Sequence, residues 1–291
     1  MWKFATFLAT GLMLAFCGCA GSKPSDQVIS IGTHRLQIHR EGRGAPAVVI
    51  DAGLADQLDK LAPLQSSLAR VTLVITYNRA GYGQSEPGPL PRDGAREAEE
   101  LKRLLDKALV PAPYVLVGHS LGALNMMVFA SRYPEDVVGM VLLDPPPLSF
   151  ALGTEYGELG AMAEQMTAEW QAIADSSAGS PDVQDAARSA FFRMIASEHR
   201  EMKATARLVE GIATFGDLPL IVVGAGKPNP AFGAIAEEFQ EYWVEQSRAL
   251  ADMSTKGKFI FASESSHFLY VDVPGLVEES ILSVVNEVRG K

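Results

Sequence analysis

Residues 113–147 read PYVLVGHSLGALNMMVFASRYPEDVVGMVLLDPPP, and this stretch decides the fold. It opens with an apolar, β-prone run (113–120), continues as a helical stretch (121–133) and returns to a second apolar run (137–145). Continuous apolar strands separated by helices belong to a mostly parallel sheet covered on both faces. At the first strand–helix junction stands Ser120, within Gly118-His119-Ser120-Leu121-Gly122. This is the G-x-S-x-G spacing, in which a serine on a tight, strained turn projects its hydroxyl above the sheet edge. The residues two before and two after then come too close for side chains, so both are glycine. The following helix points its N-terminal N–H groups at the same spot and favours negative charge developing there. A serine acting only as a helix N-cap would explain the hydroxyl but not the two glycines.

Working outward, residues 27–33 and 34–41 alternate and predict a hairpin. Residues 45–53 and 71–79 read as buried strands, and 56–70 as a helix interrupted by Pro63. Residues 93–109 form an amphipathic pattern. Ala98, Leu101, Leu104, Leu105 and Leu109 make its apolar face, and Glu97, Glu100, Lys102 and Arg103 its solvated face. Strands are expected at 218–226 and 258–264, helices at 231–252 and 274–289. The segment 146–216 lacks a convincing strand and is rich in Ala, Met and Glu. It reads as a helical cap inserted into a core made of residues 27–145 and 217–291.

The chain has 291 residues, 47% hydrophobic and 21% charged, enough for a large buried core. The net charge is −10 and no basic patch or Arg-rich segment is present, which argues against a nucleic-acid partner. Lys3 precedes an apolar run that ends at Phe16, the length of a signal-peptide core rather than a membrane span. Both cysteines, Cys17 and Cys19, follow at once, so the rest of the chain has no disulfide and no thiolate metal site. No P-loop, dinucleotide-binding glycine pattern or zinc-spaced histidine cluster is present, and no cofactor or metal is expected.

The order strand, G-H-S-L-G, helix, strand, cap, strand, helix, strand, H-F resembles the α/β-hydrolase superfamily over roughly residues 27–290. Within it the chain is most similar to small serine hydrolases of esterase type. Y-N-R-A-G-Y-G-Q-S (77–85) supports this, resembling a D-x-R-G-x-G-x-S stretch of such enzymes, with Asn78 for the Asp and Ala80 added before Gly81. The resemblance implies an α/β-hydrolase fold: a mostly parallel central sheet, helices on both faces and a helical cap between strands. It also implies a carboxylic ester hydrolase in which Ser120 is the nucleophile. His267, in E-S-S-H-F after the last strand, takes the place of the general base.

Many members carry the orienting acid after the strand at 218–226, but G-A-G-K-P-N-P (224–230) contains none. The superfamily's other place is the end of the strand after the nucleophile helix, where Asp144 stands. The order Ser120, Asp144, His267 is then that of the fold. Asn229 remains the alternative, because an amide can also orient a histidine, and Glu264 lies too close to His267 in sequence. For the oxyanion the resemblance implies the backbone N–H of Leu121 and that of Leu54, in D-A-G-L-A (51–55).

Of the five histidines, His34 and His39 fall on the first hairpin, and His119 should point away from the pocket. His199 reads as a surface residue of the cap, with substrate contact left open. Met162, Met166, Trp170, Phe191, Phe192 and Met194 predict a hydrophobic pocket and hence an uncharged, apolar ester as the small-molecule substrate. Two other readings stay open. An amide or peptide hydrolase of iminopeptidase kind would use Glu164 or Glu169 to read a substrate amine, though Ala123 breaks the G-x-S-x-G-G those enzymes commonly show. A non-catalytic envelope protein on a hydrolase fold is the third.

The leader, residues 1–20, resembles a bacterial lipoprotein signal. That implies a lipid on Cys19 and anchoring to a membrane, with simple cleavage after Ala20 the alternative. Both outcomes place the mature protein in the bacterial cell envelope, as an anchored lipoprotein or in the periplasm.

Overall fold

A computed structural model describes residues 25–290; the leader and Cys19 lie outside the described residues. Eight strands form one sheet in the order β1-β2-β4-β3-β5-β6-β7-β8. The strands are β1 (Ser25–Ser30), β2 (Arg35–Glu41), β3 (Ala47–Asp51), β4 (Val74–Tyr77), β5 (Tyr114–His119), β6 (Val137–Leu143), β7 (Leu220–Ala225) and β8 (Gly257–Ala262). β1 and β2 make an antiparallel hairpin, and β2 lies antiparallel to β4. From β4 to β8 every pairing is parallel.

The helices are α1 (Ala62–Leu68), α2 (Gly94–Lys107), α3 (Leu121–Arg132), α4 (Leu148–Leu152), α5 (Gly157–Ser176), α6 (Val183–Arg200), α7 (Met202–Glu210), α8 (Ala236–Ala251), α9 (Leu269–Asp272) and α10 (Pro274–Arg289). Helices α4 to α7 fill the whole connection between β6 and β7. This is the α/β-hydrolase fold.

Alternation along each strand supplies two buried layers. Leu116, Leu142 and Val222 face α2, α3 and α8, where Leu104, Phe129 and Leu250 meet them. Val115, Val117, Val141 and Val223 face α1 and α10, against Leu64, Leu68, Val277 and Ile281. With both faces covered, neither set can be polar, and the strands read as unbroken apolar runs.

Two local expectations change. Pro63 sits in the first turn of α1, after a single 3₁₀ turn at Leu58–Leu61, so it opens the helix instead of interrupting it. There its missing N–H needs no partner. On α2 the expected solvated residues Glu97 and Glu100 are 3% and 6% exposed, while Leu109, expected on the apolar face, is 82% exposed. The helix ends at Lys107, and the chain turns through Leu109 at φ 52°, past the reach of the periodicity.

The two glutamates are buried because Arg92 is buried with them. Its guanidinium donates to both oxygens of Glu100 at 2.8 and 2.6 Å and stands 2.6 Å from Glu97. Burial raises the Glu97 carboxyl to about 8, against the pull of Arg92. Glu100 is held below its ordinary value despite burial, by hydrogen bonds from His34 and Arg92.

Candidate active site

Ser120 turns the chain from β5 into α3 at φ 52°, ψ −122°, a strained conformation for any residue but glycine. The two elbow glycines are steric necessities. A Cβ on Gly118 would lie 2.5 Å from the Cα of Ala123, and one on Gly122 would lie 2.5 Å from the carbonyl oxygen of Asp51. The Ser120 side chain caps no helix N–H, which disposes of the simple N-cap reading.

Asp144 follows β6 and also takes a left-handed backbone, φ 46°. Its N–H donates to the Val223 carbonyl at 2.7 Å, and its Oδ1 accepts from the Ala225 N–H at 2.9 Å. Its Oδ2 accepts from His267 Nδ1 at 2.6 Å. A carboxylate can only accept, so Nδ1 carries a proton, and in the neutral ring Nε2 then holds the lone pair that a general base uses. The loop carrying His267 is tied down on either side. Ser265 O accepts from the N–H groups of Gly226 and Lys227 at 3.2 and 2.9 Å, and the Ser266 N–H donates to Asp272 at 2.7 Å.

His119 joins this loop to the elbow. It is 1% exposed, its ring lies 4.6 Å from that of His267, and its Nε2 donates to the His267 carbonyl at 2.8 Å. Burial, followed by the neighbouring His267, pushes the His119 imidazole down to about 3, so it packs here as a neutral ring. As expected, it does not line the cavity beside Ser120. Asn229 is engaged elsewhere, accepting the Ala231 N–H at 3.0 Å as a local cap, and Glu264 accepts from its neighbour Ser263 at 3.5 Å. Of the three candidates to orient His267, the structure brings Asp144 to it.

The loop after β3 closes over the elbow. A Cβ on Gly53 would sit 2.9 Å from His119 Nδ1 and 3.4 Å from the Ser120 Cβ. Leu54 is thus one residue from contact with the serine. The Leu121 N–H, first in its helix, has no intrahelical acceptor. Among the described residues neither it nor the Leu54 N–H donates to a protein acceptor.

Arg79 holds this loop, at 2% side-chain exposure. It donates to Asp51 Oδ1 and the Ala52 carbonyl at 2.7 Å each and to the Gly53 carbonyl at 2.9 Å. Glu198, from α6, receives two further bonds from it at 3.1 and 3.0 Å. The Tyr82 hydroxyl donates to Glu198 at 2.6 Å and accepts the Ala55 N–H at 3.2 Å. Arg79 enters the sequence reading only as the arginine of Y-N-R-A-G-Y-G-Q-S, with no role assigned, and Glu198 does not enter it. The available signals are the motif arginine itself and a glutamate shortly after the apolar run Met194-Ile195-Ala196.

Ser120 opens onto a cavity of about 690 Å³, walled by Pro146, Phe150, Leu152, Met202, Trp243, Thr167 and His199, with Glu164, Arg200 and Lys203 at its edge. The residues expected to build the pocket do not line it. Trp170, Phe191 and Phe192 pack against Tyr82, Met194 and Ile195, while Met162 and Met166 are 56% and 41% exposed. His199 is a wall residue rather than a surface one. The Thr167 hydroxyl donates to Ala163 O at 2.9 Å and so accepts from His199 Nδ1 at 2.5 Å, which leaves Nε2 open to a ligand. Burial lowers the His199 pKa and keeps the ring neutral. Glu169 accepts from Gln165 at 3.0 Å and is not part of the wall.

A family model described as alpha/beta hydrolase fold matches residues 46–178. The uncharacterized protein YqjL of Bacillus subtilis (strain 168) is 27% identical over 249 residues, which cover 84% of this chain and 86% of YqjL. Among solved structures, the enol-lactonase from Burkholderia xenovorans LB400 superposes with a TM-score of 0.63 at 18% identity, covering 89% of this chain and 100% of its own. A thermophilic esterase from Thermogutta terrifontis gives 0.63 at 17% identity, covering 91% and 99%. Likeness at such identities establishes the fold.

Proposed function

We propose that the protein is a serine hydrolase that cleaves carboxylic esters through a covalent acyl-enzyme. The observation that carries this reading is the 2.6 Å contact of Asp144 with His267 Nδ1, in a chain whose strained Ser120 faces a cavity. In the proposed cycle His267 Nε2 takes the Ser120 proton as Oγ attacks the acyl carbon. The N–H groups of Leu121 and Leu54 donate to the oxyanion, and His267 then protonates the leaving alcohol. A water, deprotonated by the same imidazole, attacks the acyl-enzyme, and collapse returns the proton to Ser120 and frees the acid. Asp144 stays ionised throughout and stabilises the imidazolium.

Phe150, Leu152, Met202 and Trp243 favour an apolar acyl or alcohol group, and Thr167 and His199 add a polar point of recognition. Glu164 at the cavity edge favours a second reading, an amide whose free amine it would bind. Intact-mass analysis of the soluble chain after exposure to a fluorophosphonate tests the shared chemistry. One adduct is expected on wild type and none on Ser120→Ala. No adduct on folded wild type would move the non-catalytic reading to the front. Paired acyl esters and aminoacyl amides then separate the first reading from the second. Export with a lipid on Cys19 is proposed alongside, and labelled fatty acid retained by Cys19→Ala would refute it.

A further inference from the structure

We infer that Glu198 on the cap helix α6 acts through Arg79 to aim the Leu54 N–H, so that seating the cap and shaping the oxyanion site are one event. The inference relies on the acyl-transfer reading above. All five N–H groups of Arg79 are engaged: two on Glu198, one on Asp51 and one each on the carbonyls of Ala52 and Gly53. A trans peptide is planar and sets its C=O and N–H in opposite directions. Holding the Gly53 carbonyl therefore fixes where the Leu54 N–H points. The next peptide is held as well, because Tyr82 accepts the Ala55 N–H while donating to Glu198. Both peptide planes flanking Leu54 thus end on one carboxylate of the cap. Successive helical residues point about 100° apart. Glu198 therefore faces the buried cluster, at 1% exposure, while His199 beside it lines the cavity. Whatever fills the cavity touches the same turn of helix that aims the oxyanion donor.

Glu198→Gln tests this with limited risk to folding, since Arg79 and Asp51 remain a neutral pair. Tyr82→Phe is the second variant and changes no charge. Each should lower kcat for p-nitrophenyl acetate about tenfold, within the ~100-fold that a 1 Å misplacement costs, with KM changing less than about threefold. Phenylboronic acid, which forms a tetrahedral adduct on an activated serine, should lose affinity by the same factor as kcat/KM. A role confined to pinning the cap predicts instead a lower Tm and raised KM, with kcat and boronate affinity unchanged. That result overturns the inference while leaving the acyl-transfer reading in place. Wild type that takes neither the fluorophosphonate adduct nor the boronate removes both.

Discussion

Arg79 and Arg92 are both almost wholly buried, each between two carboxylates, and each reaches α6. The Arg92 backbone N–H donates to Ser197 Oγ at 3.1 Å; the Arg79 side chain donates to Glu198, the next residue. They differ in where their partners come from. Those of Arg92, Glu97 and Glu100, lie within eight residues of it on α2, and its Nε has no acceptor among the described residues. Those of Arg79 lie 28 and 119 residues away, and two of its bonds go to the main chain beside the elbow. Buried ion pairs are weak evidence for stability, since desolvation offsets much of their attraction. What separates these two is geometry: Arg92 closes a local cluster, whereas Arg79 brings three distant segments into one arrangement around Ser120.

Ser120→Ala sets the floor and should remove activity by about 10⁶ in kcat. Asp144→Asn should lose on the order of 10⁴ in kcat, with circular dichroism and Tm near wild type, because an amide disfavours the working tautomer. Asn229→Ala should leave turnover unchanged. Normal turnover in Asp144→Asn would remove Asp144 from the site.

Next in size come the arginines. Arg79→Lys cannot make five N–H contacts and should lower kcat about 10- to 100-fold. Arg92→Lys should keep kcat in the folded fraction and lose about 1–3 kcal/mol in urea unfolding. If the two outcomes were exchanged, Arg92 and not Arg79 would be the arginine that shapes the site.

The smallest effect sharpens the Arg92 side. Glu97 is raised from 4.5 to about 8 by burial, so across that window the native state binds more protons than the unfolded one. Stability then falls as pH rises from about 4.5 to 8. Glu97→Gln should remove this slope and gain on wild type at pH 8.5 relative to pH 5. Parallel urea curves for the two proteins at both pH values would refute it.

The elements of the sheet were readable because each is a local pattern: apolar runs, glycine-flanked turns and amphipathic helices. Ser120 and His267 stood out for the same reason, as residues at strand ends in recognisable surroundings. Asp144 could be singled out but not separated from Asn229, because only the fold shows which reaches His267. The Arg79–Glu198 contact spans 119 residues, and no local pattern carries it. The cavity wall is not legible for a related reason. Periodicity turns Trp170 and Phe191 inward but does not say against what: Phe191 meets the Tyr82 ring and Trp170 the His199 ring, while Phe150 and Trp243 line the cavity. Charge alone puts Glu97 and Glu100 in solvent, because it gives no hint of a buried partner outside the helix.

The adjacency of Glu198 and His199 on α6 bears on how this cap can change over time. One residue inserted into or deleted from α6 before position 198 would turn the helix by about 100° and swing both side chains off their targets together. The connection 177–182 between α5 and α6 carries no such phase. Lineages and engineers should therefore find length variation tolerated in that turn and penalised within the helix. A cap borrowed from another protein of this fold would need its own glutamate in this register to meet Arg79.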